Sequence, residues 1–155
     1  MAGRPAVNST GLRGRTLPGW RVWTAVAVGG LAGSEARYLL TALFPPVPGA
    51  FDTTTFTINI AASAALGFLT SWWLFRPTVP FWLRAGLGPG LLGSFSTFSA
   101  LALSIETLLV SGRHGTWLLY AGLSTAVGLA AAGAGLAAGN RLLGRPGRGR
   151  KAVQP

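Results

Sequence analysis

Four apolar runs, each near the length of a bilayer crossing, fill most of this 155-residue chain. They cover residues 22–43, 56–75, 82–110 and 116–138. About 20 residues of α-helix span the hydrocarbon layer, so each run predicts one transmembrane helix. Charged residues make up 10% of the chain, against about 25% in ordinary soluble domains. The reading is one all-α membrane domain over 22–142, between basic disordered tails at 1–21 and 143–155. Arginines precede the first run, as in a signal peptide. That run is longer than a signal h-region and no small-x-small cleavage site follows, so a retained helix is expected.

The chain has no cysteine, which removes disulfides, thiolate metal sites and cysteine nucleophiles. Its one histidine, His114, is read as a solvated loop residue beside Arg113. No acid/base pair, nucleophile with its base, or metal-ligand triad stands out, so the chain is not read as an enzyme.

The net charge of +10 is distributed one-sidedly. Four arginines precede the first run: Arg4, Arg13, Arg15 and Arg21. Arg141, Arg145, Arg148, Arg150 and Lys151 follow the last, and Arg76 and Arg84 flank the loop between the second and third. With four crossings, eleven of the 13 basic residues fall on one face. The positive-inside rule then places both termini in the cytoplasm. Basic tails next to a membrane attract anionic lipid headgroups. Nucleic-acid binding is not expected, because no aromatic–basic interleaving accompanies the charge.

Residues 86–99 are the unusual stretch. Gly86, Gly88, Pro89, Gly90 and Gly93 loosen the first half; Phe95, Ser96, Thr97, Phe98 and Ser99 fill the second. Lipid cannot hydrogen-bond a frayed backbone, so irregular chain at membrane depth must be buried in protein or face a polar cavity. The glycines predict two half-helices joined by non-helical backbone. Carbonyls at such a break can coordinate a cation, and helix N-termini suit anions. Two readings of the polar residues beyond it stay open. The hydroxyls bond back to the preceding turn, or they face a cavity beside the break.

The other helices carry further candidates. Gly29 and Gly33 form a small-xxx-small pair that lets another helix approach. Glu35 and Arg37 are costly in lipid and should face protein, water or the interface. Arg37 either anchors the helix end or serves the site. Asn59 sits on one face with Thr55; its amide is interhelical glue or a donor in a path. Tyr120, Ser124 and Gly128 form a stripe at spacing four, although Tyr120 also suits an interfacial aromatic belt.

Three blocks in order resemble the small bacterial fluoride channels, the Fluc or CrcB family. Gly29-Gly30-x-x-Gly33-Ser34-x-x-Arg37-Tyr38 is similar to the family's first-helix signature. Thr55-Phe-Thr-Ile-Asn59, with Gly67 beyond it, is similar to the second block. Phe95-Ser-Thr-Phe-Ser99 matches the third-helix core. The resemblance runs from about Val22 to Leu142. It implies passive export of cytoplasmic fluoride through the cell membrane, relieving fluoride toxicity, by an antiparallel dimer of four-helix bundles with two pores. It implies a structural Na+ at the dimer centre, held by the carbonyls of Gly90 and Gly93. By the same resemblance Phe95, Phe98 and Asn59 line the pore, Ser96 and Thr97 lie near the ion path, and Tyr120 with Ser124 forms a polar track. Such groups suit fluoride: hydroxyls and an amide replace its water, and phenyl edges are electropositive without carrying full charge. Weak multi-site binding favours conduction over trapping.

The chain departs from the family pattern. Leu91 stands where a second glycine is usual, Gly93 and Ser94 replace two threonines, and Ala62 replaces a glycine. Leu101 replaces a glutamate, Gly128 a track serine, and Ser34 an alanine. The charge bias also conflicts with a homodimer of opposed subunits. A heterodimer with an oppositely oriented homologue is therefore expected. A non-conducting partner subunit and a small proton-coupled multidrug-type transporter using Glu35 are the alternatives.

Overall fold

The computed structural model describes residues 18–144; the tail expectations, including Arg4, Arg13, Arg15, Arg145, Arg148, Arg150 and Lys151, lie outside them. The described residues are all-helical, in four long runs with no strand among them. Helix α1 spans Trp20–Leu43 and α2 spans Thr53–Phe75. The third run comprises α3 (Phe81–Ala85), a π-helical segment (Gly86–Leu92), α4 (Gly93–Phe95) and α5 (Phe98–Val110). Helix α6 spans His114–Leu143. His114 is thus the first residue of a helix and not a loop residue.

Local chemistry explains where these elements begin and end. Asp52 caps α2, its carboxylate accepting the Thr55 amide at 2.9 Å, which starts the helix before the apolar run. Gly112 ends the α5–α6 turn at φ +69°, where a side chain would be strained.

The glycine-rich segment differs from expectation. Residues 86–92 stay helical, as π-helix around Pro89. A proline ring collides with the carbonyl four residues back in an α-helix; the wider π turn relieves that collision at Ala85. The non-helical residues come later. Ser96 (ψ 152°) and Thr97 (φ −151°, ψ 123°) are extended.

Three runs are long and apolar enough to cross a membrane: Thr53–Phe75, Phe81–Val110 and His114–Leu143. Helix α1, with 24 residues, reaches about 36 Å, but Arg21, Glu35 and Arg37 thin its apolar character.

The helices pair off. α1 lies along the first half of the third run, and α2 lies along α6. Past Thr97 the third run changes neighbours, and α5 packs on α6. Small residues set these distances. A methyl on Gly33 would collide with the Leu91 carbonyl, and one on Gly135 with the Ala64 carbonyl. Few large side chains are buried within one chain: Ile58, Leu92, Leu108 and Tyr120 among them. Leu31, Phe98 and Val110 are exposed at 67%, 81% and 83%. Apolar surface on that scale requires lipid or another subunit against it.

Candidate functional site

The extended residues Ser96 and Thr97 are the organising point of the site: one side chain grips Thr97, and others fix the backbone on either side. Asn59 Nδ2 donates to the Thr97 carbonyl at 3.2 Å, and the Thr97 amide donates to Asn59 Oδ1 at 2.9 Å. Arg37 Nε donates to the Ser94 carbonyl at 3.2 Å, placing a cation at the end of α4 where helix carbonyls lack partners. Thr97 Oγ1 accepts the Ala100 amide at 3.3 Å and caps α5. It also pairs with Ser99 Oγ at 2.8 Å. The backbone interruption is thus satisfied from α1, α2 and its own next turn, as an apolar surround demands.

The expected site residues separate into two groups by their free hydrogen-bonding capacity. Ser96 Oγ donates to Leu92 O at 2.9 Å. Thr97 is engaged as above, and Asn59 keeps a single unassigned N–H. Tyr120 and Ser124 are different: their hydroxyls are buried and have no hydrogen-bond partner. Tyr120 is fully enclosed, with Phe51 edge-on to its ring at 4.8 Å and 86°. Phe95 is half-buried and Phe98 is exposed, so within one chain the two rings do not enclose a common space.

Two further polar residues, one capping α2 and one on α5, meet across the bundle. Asp52 is 6% exposed and accepts the Ser104 hydroxyl at 2.8 Å. The D-x-x-T spacing ahead of an apolar run identifies Asp52 as a cap; nothing in the sequence links it to Ser104. Both line a cavity of 290 Å³ together with Arg37, Thr55, Thr97 and Thr107. A second cavity of 340 Å³ lies against the π-helical segment, bounded by Ser63, Trp73, Gly93 and Ser96.

The expected cation ligands are the carbonyls of Gly90 and Gly93. Gly90 is buried against Val26, and its carbonyl accepts the Gly93 amide. Gly93 is exposed. Hard cations take about six oxygens, so two carbonyls from one chain do not make a site. A second chain would have to complete it.

A family model described as CrcB-like protein, Camphor Resistance (CrcB), matches residues 24–136. The chain belongs to the CrcB family. The CrcB match contains Arg37, Asp52, Asn59, residues 95–98, Ser104, Tyr120 and Ser124, which is the whole of the site. Named relatives agree with it. The protein called fluoride-specific ion channel FluC 1 of Symbiobacterium thermophilum is 41% identical over 119 residues, 76% of this chain and 96% of that one. FluC 3 of Streptomyces avermitilis is 37% identical over 139 residues, 84% and 67% of the two chains. FluC of Pseudomonas fluorescens Pf0-1 is 41% identical over 113 residues, 72% and 91%. With three helices able to cross a bilayer, this CrcB member is a multi-pass membrane protein.

Proposed function

We propose that this chain is a fluoride-specific channel subunit that lets cytoplasmic fluoride leave the cell down its gradient. The observation that carries the reading is the CrcB match across every element of the site, with relatives named as fluoride-specific ion channels. The site chemistry supports it. Tyr120 and Ser124 hold unengaged donors, and a small anion stripped of water needs such donors. Ser96 gives its proton to Leu92 and must rotate to serve an ion. Asn59 offers only its second N–H. Phe95 and Phe98 supply electropositive ring edges once a second subunit covers them. The ion therefore meets weak contacts in series, which favours passage over trapping. The names of the relatives favour this channel over the Glu35-dependent transporter.

In the proposed assembly two chains of opposite orientation pack through their exposed apolar faces, Phe98 included. Gly90 and Gly93 of each would together hold Na+, which would fix the dimer centre as a structural ion. The tails would lie in the cytoplasm. The charge bias favours a homologue of opposite bias as partner.

The test is fluoride efflux from liposomes, with the chain alone and coexpressed with such a homologue. Release of fluoride without chloride is expected in the paired preparation. No release from either preparation overturns the reading.

A further inference from the structure

We infer that the groove between α1 and α3 seats one anionic phospholipid, with its phosphate on Arg21 and an acyl chain along Ala25 and Val28. The groove has a volume of 510 Å³ and is lined by Arg21, Thr24, Ala25, Val28 and Trp82. Its position follows from one close contact. A methyl on Gly86 would meet the Ala25 side chain and carbonyl at 3.1 Å, so α1 and the third run touch there. Gly33 lies against Leu91 further along both, so the two elements run in the same direction. Arg21 stands one turn before Ala25, and Trp82 one turn before Gly86. Both large side chains therefore border the groove at the same end of the bundle, beside the start of α1 and the α2–α3 turn.

That end of the groove is cationic. The first turn of α1 holds no acidic residue. The chain's three acidic residues, Glu35, Asp52 and Glu106, all lie outside the groove lining. Arg84 on α3 spends its donors on the Val79, Pro77 and Arg76 carbonyls at 3.1, 3.1 and 3.4 Å, which holds the α2–α3 turn. The Arg21 guanidinium has no acceptor among the described residues and lies 5.8 Å from the Trp20 ring centre. A guanidinium with free N–H groups binds phosphate through two parallel hydrogen bonds. Exposed Trp20 and Trp23 stand at the same end, and tryptophans gather at headgroup depth. Trp82 adds an indole N–H at the level of the lipid ester groups. Below Arg21 the lining turns apolar at Ala25 and Val28. Thr24 gives its proton to carbonyls of its own helix, Trp20 O or Arg21 O at 3.2 and 3.1 Å, and asks nothing of an acyl chain. An inorganic anion would match Arg21 and leave the apolar floor uncovered. A neutral lipid would cover the floor and leave the charge unmatched. An anionic phospholipid does both.

The seat does not depend on what the bundle conducts, and its test needs no flux. Native mass spectrometry of the full chain in detergent counts bound lipid during titration with phosphatidylglycerol or with phosphatidylcholine of the same chains. The first phosphatidylglycerol should bind about tenfold more tightly, the scale of one charge-assisted hydrogen bond. Arg21→Gln should bring the two lipids to parity. Arg15→Gln, which removes the same charge from the tail, should keep the preference. Thr24→Trp keeps every charge and fills the groove, and should lose the preference as Arg21→Gln does. Equal binding of both lipids by the wild-type chain overturns the inference. So does an equal loss in Arg15→Gln, which would mean diffuse attraction by the tails, or an unchanged preference in Thr24→Trp. A preference that strengthens when residues 2–17 are removed would give the groove to the chain's own tail. One that vanishes when an oppositely oriented homologue is added would give it to that subunit, and either result overturns the lipid seat.

Discussion

Asn59 grips Thr97 by both ends of its backbone, donating to its carbonyl and accepting from its amide, at 3.2 and 2.9 Å. The side-chain amide replaces the partners that two extended residues would otherwise lack in the middle of a membrane helix. It stands in for the missing turn, and it ties the start of α5 to α2. The interruption in the third run is therefore a fixed joint.

Removing that grip should be costly. Asn59→Ala leaves a half-buried donor and a half-buried acceptor of Thr97 unmade, at about 1 kcal/mol each. Asn59→Asp keeps the acceptor for the Thr97 amide and sets a carboxylate against the Thr97 carbonyl. Thermal unfolding in detergent should show a large fall in Tm for both variants. Fluoride efflux should fall with it, and further in Asn59→Asp, since a fixed negative charge repels the ion.

Tyr120 and Ser124 should behave in the opposite way. Their hydroxyls are buried without partners, so Tyr120→Phe and Ser124→Ala remove an unmet polar group and should leave Tm unchanged or raise it. Efflux should fall by about tenfold in each, the loss expected for one ionic hydrogen bond of about 1.5 kcal/mol. A fall in both stability and flux would mean that these hydroxyls hold the fold instead of the ion.

The close approach of α1 to the third run offers a third test. A methyl on Gly33 meets the Leu91 carbonyl, whereas one on Gly122 or Gly133 meets nothing within 4 Å. Gly33→Ala should separate the two elements and lower Tm sharply. Gly122→Ala and Gly133→Ala should be neutral, or stabilising by about 0.5–1 kcal/mol from helix propensity. Comparing the three by differential scanning fluorimetry separates packing from backbone entropy.

How much of this was legible in the sequence depends on the distance over which each feature is determined. Apolar run length located four helical runs, three of which are long and apolar enough to span a membrane, because apolar length is a local property. Gly29 and Gly33 announced a close helix contact for the same reason. The joint was misplaced. Gly86, Gly88 and Pro89 read as breakers, yet a π turn absorbs the proline and keeps the segment helical. The extended residues are Ser96 and Thr97, held by Asn59 from 38 positions away. Arg37 reaches Ser94 across 57 positions, and Ser104 reaches Asp52 across 52. Such pairings follow from how α1, α2 and α5 are set against each other, which no local pattern encodes. Likewise Asn59 read as either glue or donor, because only its partner distinguishes the two. The back-bonding of Ser96 to Leu92 was one of two open readings, and the neighbouring turn decided it.

The final prediction concerns orientation. Both halves of an antiparallel homodimer must insert in both directions, which requires loops of balanced charge. With four crossings, the topology expected from the sequence would put eleven of the 13 basic residues on one side, and Arg113 with the capping carboxylate Asp52 on the other. Each misplaced basic residue resists translocation, so the chain should insert one way only. Single cysteines placed in the turn at Thr78 and in the loop at Gly49 of this cysteine-free chain make the two faces readable. A membrane-impermeant maleimide applied to intact cells should label Gly49→Cys and leave Thr78→Cys untouched until the cells are lysed. Equal labelling of both sites on intact cells would mean dual insertion, and the requirement for an oppositely oriented partner would disappear. Reversing the bias, by replacing Arg76 and Arg84 with glutamine and adding lysines beside Gly49, should shift a fraction of the chains to the opposite topology. Such a mixed population should then release fluoride from liposomes without any second homologue, which ties the charge asymmetry directly to the choice of partner.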